Sequence, residues 1–205
     1  MDKLISLQID GRKVTVPAGV QSGDAMVLFA TTNLNTATVT DPVGWTFLGE
    51  RLSATDTRTR LYSKVAGPAD AGAVVSVTYA ATSKIDLSLS AYSGTDATTP
   101  VGAFASAAET VSRVTHTAPT VTVPVIGSWV ISFWADKSSA TTTWTAPAGQ
   151  VPRIQSVGTS SGRITSLEAD SGAPVSAGTW VGQTATADAA SAKATMWTVV
   201  LNPAP

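Results

Sequence analysis

Cysteine is absent from this chain, which removes disulfides, thiolate nucleophiles and Cys-ligated metal together and leaves stability to packing. Histidine is nearly absent. His116 stands alone in VTHTAP, so there is no ligand set for a His-based metal site, and no G-x-S-x-G elbow accompanies it. Its expected place is a surface or a strand edge. Charge is scarce, at 13% of residues, with Lys+Arg 13 against Asp+Glu 14. That balance provides no electrostatic footprint for nucleic acid or an anionic membrane, and neither is expected as a partner. Long apolar runs are missing too: no window approaches the roughly 20 residues of a membrane-spanning helix. The four-residue stretch Leu4 to Leu7 contains Ser6 and is too short for a signal-peptide core. A product made in the cytoplasm without a signal peptide is the expectation.

What fills the chain instead is alternation of apolar residues with Thr, Ser and Ala, with almost no helical spacing. This pattern predicts an all-β protein built of antiparallel strands. LISLQID, the Gly11 turn and RKVTV read as an N-terminal hairpin or arm over 1–16, and AMVLFAT, apolar on both parities, reads as a strand covered on both faces. WTFLGERLSA and TRTRLYSKVA read as a hairpin turning at Thr55 and Asp56. AVVSVTYA and IDLSLSAYS are further strands.

The chain also repeats itself. TATVTDPVGW at 36–45 returns as TTTWTAPAGQ at 141–150, about 105 residues later. GDAMVLFA aligns with GSWVISFWA, Arg60-Leu61 with Arg163-Ile164, Ala71-Gly72 with Ala177-Gly178, SVTYA with GQTATA, and IDLSLSAYSG with ATMWTVVLNP. Two related half-units, about 23–94 and 127–203, follow, separated by a segment (95–124) whose Pro119 and Pro124 suit an edge. Each half has one apolar sheet face to cover. The economical arrangement is a single sandwich over 17–205 with the two sheets face to face, and two small sandwiches side by side are the alternative.

The order GVQSGDAMVLF, DPVGWTFLGE, RLYSKVAGPADAG, LSAYSG, WTAPAGQVPRI and a closing VVLNP resembles a β-sandwich module of actinobacterial surface and secreted proteins. Similar modules occur in minor structural proteins of the bacteriophages of those bacteria. The resemblance spans Val14 to Pro203 and rests on turns and core positions. It implies a jelly-roll-like sandwich used for capsid decoration, as a tail component or for adhesion, and it transfers no catalytic residue.

The remaining candidates for chemistry are carboxylates and aromatics. Glu168 and Asp170 share one strand face in LEAD, a spacing that reads more readily as a solvated edge than as a catalytic dyad. Asp24, Asp41, Asp70, Asp96 and Asp188 sit in turns, where Asp caps backbone amides. A single Ca²⁺ built on turn carbonyls with Asp70 or Asp170 is left open, and no cofactor is expected. Among six tryptophans, Trp129 with Ile131 and Phe133 reads as core, and Trp45 as a plug at one end of the sandwich. Trp144, Trp180 and Trp134 are the candidate platforms for an interface or a sugar ring. Leu4, Ile5, Leu7 and Ile9 of the arm are the candidate anchor. The expected function is a non-enzymatic structural protein of a bacteriophage virion, self-associating and touching other virion proteins. The alternative is an extracellular module binding bacterial surface or cell-wall glycan.

Overall fold

The computed structural model describes the backbone of Lys3–Leu7 and residues 12–53 and 56–205. No helix occurs among them. The strands in chain order are Lys3–Leu7 (β1), Lys13–Thr15 (β2), Ala25–Thr32 (β3), Val39–Thr40 (β4), Thr46–Leu52 (β5), Arg58–Val65 (β6), Val74–Ser76 (β7), Thr78–Tyr79 (β8), Ile85–Tyr92 (β9) and Val101–Ala108 (β10). Then come Arg113–Thr117 (β11), Val121–Val123 (β12), Trp129–Lys137 (β13), Trp144–Thr145 (β14), Val151–Val157 (β15), Ile164–Asp170 (β16), Gly178–Trp180 (β17), Thr184–Ser191 (β18) and Ala194–Leu201 (β19).

Two five-stranded antiparallel sheets dominate, ordered β1-β9-β3-β6-β5 and β10-β19-β13-β16-β15. Their orders are the same once each strand is matched to its counterpart. The duplication is therefore a duplication of topology, and it extends further than the sequence alignment reached. Strand β1 holds against β9 the place that β10 holds against β19. The segment read as a separator contributes β10, β11 and β12 to the second lobe, and VTVP at 14–17 recurs at 121–124. Even the irregularities match: the β5–β6 ladder slips between Phe47 and Gly49, and the β15–β16 ladder between Pro152 and Ile154. A bulge kept at the same place in both copies is a built feature of the strand.

The described residues form four layers. The large sheets lie face to face, and Phe29 and Phe133, equivalent residues of β3 and β13, stack between them at 4.2 Å with planes 2° apart. On its outer face each large sheet carries a cover of short strands. In the first lobe this is β2-β7 and β4-β8, in the second β11-β18-β14 and β12-β17. Three interiors result. One lies between the lobes, built on Val27, Phe29, Leu61, Ile131, Phe133 and Trp197. The other two lie between each large sheet and its own cover. The sandwich formed by the two facing sheets and the pair of smaller sandwiches thus coexist. Strands β3, β9, β13, β16 and β19 are buried along both faces apart from the last residue of β13, which is why AMVLFAT shows no clean alternation.

Several local expectations change. Among the described residues of the stretch read as an arm or hairpin, β1 joins the large sheet through β9, whereas β2 joins the cover through β7. The chain divides because Val14 and Val16 are buried in the first lobe's outer core. Leu4, Ile5 and Leu7 fall on β1, an edge strand within the sandwich, and Ile9 lies outside the described residues. Ladder registers pair Phe29 with Leu61 and Phe133 with Glu168, so Leu61 corresponds to Glu168, four residues beyond the position assigned by sequence. The hairpin of β5 and β6 forms as expected.

The passage between lobes is tied down. Thr95 bridges Pro203, Asp96 N donates to Asn202 O, and Ala204 N donates to Gly94 O. Asn202 Nδ2 reaches Thr99 O at 2.9 Å. Gly102 makes this approach possible, because a Cβ there would lie 2.1 Å from Asn202 Oδ1.

Candidate functional site

Of the three tryptophans singled out as platforms, two are interior. Trp134 is fully buried and Trp144 is 4% exposed. Both pack with Leu167, Ala169 and Ala185 between the second large sheet and its cover, so neither presents a ring to a ligand. The reason lies in the duplication. Trp134 and Trp144 stand where the first lobe has Ala30 and Val39, and Leu167 and Ala169 stand where it has Arg60 and Tyr62. The second lobe fills with indole rings the volume that the first fills with longer residues of β6. His116, on edge strand β11, is also fully buried and packs against Trp144 at 5.3 Å. Burial holds its imidazole below the ordinary value, opposed by Glu109. Trp180 is half-buried against Val121, Val123 and Val200.

Glu168 and Asp170 are likewise not at a solvated edge. Both are fully buried on β16, facing β9 across the gap between lobes. Asp170 accepts two bonds from Arg153, at 2.7 and 2.8 Å, and one from Tyr92. Asp86 on β9 accepts from Ser156, Ser166 and Ser88. Glu168 has neither oxygen in a well-formed hydrogen bond among the described residues, and burial pushes its carboxyl up to about 8. The three acids converge, yet the zero exposure of Glu168 and Asp170 gives a substrate no approach.

An accessible arrangement exists elsewhere, on the first lobe. The turn Asp41-Pro42-Val43-Gly44 closes with Trp45 N donating to Pro42 O, and Gly44 takes φ 78°, a region that glycine enters freely. The turn leaves Val43 97% exposed and lays Trp45 half-buried against the outer core. Beside it, Asp41 Oδ1 accepts from Arg60 at 2.6 Å and from the Tyr62 hydroxyl at 2.7 Å. Burial and this bond to Asp41 raise the Tyr62 phenol well above its ordinary value. Lys64 donates to Asp70 Oδ1 at 2.6 Å, and Gly67 N holds the other oxygen. Burial works to raise the Asp70 carboxyl, but Lys64 and Gly67 hold it below its ordinary value. Between this turn and β7–β8 runs a groove of about 320 Å³, with Trp45, Lys64 and Asp70 inside and Ser76 and Thr78 on the far wall.

The second lobe provides a built-in control. Its turn reads Ala146-Pro147-Ala148-Gly149-Gln150, with the same glycine at φ 84°. Gln150 is 8% exposed and donates to Ser132 Oγ at 2.9 Å. Asp41, Trp45, Arg60 and Tyr62 thus become Ala146, Gln150, Leu167 and Ala169. The backbone device is duplicated and the groove chemistry is not. Sequence comparison of the two turns carried this signal, in the exchange of Asp41 for Ala146 and Trp45 for Gln150.

A larger hollow of about 510 Å³, lined by Ser138, Ser139, Ser161, Lys137 and Lys193, opens near the lobe junction. Its lysines are both paired with Asp56. As for metal, Asp70 and Asp170 have their oxygens committed to the donors named above, and no cluster of His, Asp and Glu with metal-holding geometry occurs among the described residues. Comparison with protein-family models, with curated proteins and with solved structures found no match to this chain.

Proposed function

We propose that this chain is a non-enzymatic structural protein of a bacteriophage virion, a decoration or tail component that associates with copies of itself and with other particle proteins. The observation that carries this reading is the use of both faces of the two large sheets. With their faces consumed by one lobe junction and two covers, the sheets form a stiff block whose contacts to partners are left to strand edges and end loops. Strand β10, VGAFASAA, is an uncharged eight-residue edge of the kind that pairs with a neighbouring strand. The resemblance to phage structural modules points the same way. Mass spectrometry of purified particles with cross-linking is the test. Stoichiometric copies with cross-links to capsid or tail proteins support the reading, and a chain missing from particles but present in culture medium refutes it.

A second reading, a module binding bacterial surface glycan, is favoured by one specific observation: the groove beside Trp45 combines an indole with polar groups in one of two topologically matching lobes and not in the other. The same particle could use both properties.

A further inference from the structure

We infer that the first-lobe groove takes an uncharged saccharide unit, held between Trp45, Asp41 and Lys64, and that the second lobe has no such site. This rests on the glycan-binding reading, and is independent of whether the chain belongs to a virion. Five features of the groove select the ligand class. Its charges cancel, since Asp41 is paired with Arg60 and Asp70 with Lys64. An anionic sugar, a phosphate or a cationic peptide therefore finds no net opposite field. The paired groups keep bonding capacity: Asp41 Oδ1 takes both of its bonds, leaving Oδ2 to accept from a hydroxyl, while Lys64 can donate further protons. The Asp41 carboxylate and the Lys64 ammonium, each fixed by its own partner, are arranged in advance for the vicinal hydroxyls of a sugar, so binding orders little. Trp45 supplies the apolar component, an indole against which the C–H face of a pyranose stacks. The hydroxyl-bearing wall at Ser76 and Thr78 closes the opposite side. At about 320 Å³ the groove is at the small end of ligand sites, roughly 300 to 1,000 Å³, which suits one terminal unit.

The experiment is a titration of the ¹⁵N-labelled full chain followed by NMR, with methyl glycosides of glucose, galactose and mannose and with N-acetylglucosamine as neutral probes. Glucuronate and inorganic phosphate are the charged probes. The expected result is saturable shifts of the Trp45 indole N–H and the Thr78 amide with at least one neutral probe, and none at Gln150. Trp45→Ala should weaken binding at least tenfold. Because Trp45 also contacts the core, Thr78→Arg is the cleaner variant: it projects from an exposed position into the groove, and should abolish the shifts while leaving the unfolding midpoint unchanged. Tighter binding of glucuronate or phosphate than of every neutral probe overturns the inference, as does retention of binding by Thr78→Arg. Saccharide shifts confined to another surface, such as that around Trp180, overturn the groove while leaving glycan binding intact. No shift with any neutral probe at millimolar concentration removes both.

Discussion

The two flanks of the lobe junction are related by the same duplication that relates the lobes, yet they are chemically opposite. On one flank β19 faces β6, with Trp197, Val199 and Leu201 against Leu61. On the other β9 faces β16, where the corresponding residues are Ser88, Ser90 and Tyr92 against Glu168. The bulge residue of the outer strand follows suit: Leu48 packs on the apolar flank, and its counterpart Arg153 pairs with Asp170 on the polar one. Large apolar residues line one flank, and hydroxyls and acids line the other, so polarity is exchanged between the copies. The apolar flank contributes burial energy. The polar flank contributes little net energy but penalises misregister, because any slip would strand a buried acid.

Substitutions that disrupt one flank at a time test this contrast. Trp197→Ala should cause the largest loss, about 3–5 kcal/mol, from the transfer and cavity terms of a buried indole. Denaturant unfolding would show it as a shifted midpoint. If the lobes share one core, the transition should stay single. Arg153→Met removes the main partner of Asp170 at zero exposure, and should cost about 3 kcal/mol. Glu168→Leu installs the residue of the apolar flank and should stabilise the protein by about 1–2 kcal/mol above pH 8.

The sign of that last effect follows from proton linkage. Burial, with Asp170 and Asp86 adding to it, lifts the Glu168 carboxyl from an ordinary 4.5 to about 8. The folded protein therefore holds a proton that the unfolded chain releases. Stability falls as pH rises through this window and levels off above it. Glu168→Leu should flatten part of that slope in thermal unfolding from pH 5 to 9. Asp136, lifted by burial to about 7, retains its own share. A slope unchanged in the variant would show that Glu168 is already ionised at pH 5. The smallest effect belongs to Val43→Ser, at a position 97% exposed, where chemical denaturation should find a change within about 0.5 kcal/mol.

Strand existence was legible in the sequence because alternation and turn residues report local geometry. AMVLFAT showed both-face burial directly, and the paired D/A-P-V/A-G turns revealed the duplication. What stayed hidden depended on partners distant in sequence. Nothing near Val14 says that β1 and β2 enter different layers. The acidic pair in LEAD resembles an edge locally, and it is tolerated inside because Arg153 and the distant Tyr92 bond Asp170 while burial keeps a proton on Glu168. The tryptophans misled because volume exchange between copies is a property of two lobes compared in three dimensions. Trp144 in place of Val39 looked like an added ring, whereas it compensates for the Tyr62 hydroxyphenyl group that Ala169 lacks.

The lacing of the chain end onto the passage between lobes has a mechanical corollary. A load applied at Pro205 would pass through Asn202 into the 94–100 stretch before it reached either large sheet. The few contacts at Gly94, Asp96 and Thr99 would act as a sacrificial clasp, yielding first under tension and sparing the β10–β19 ladder.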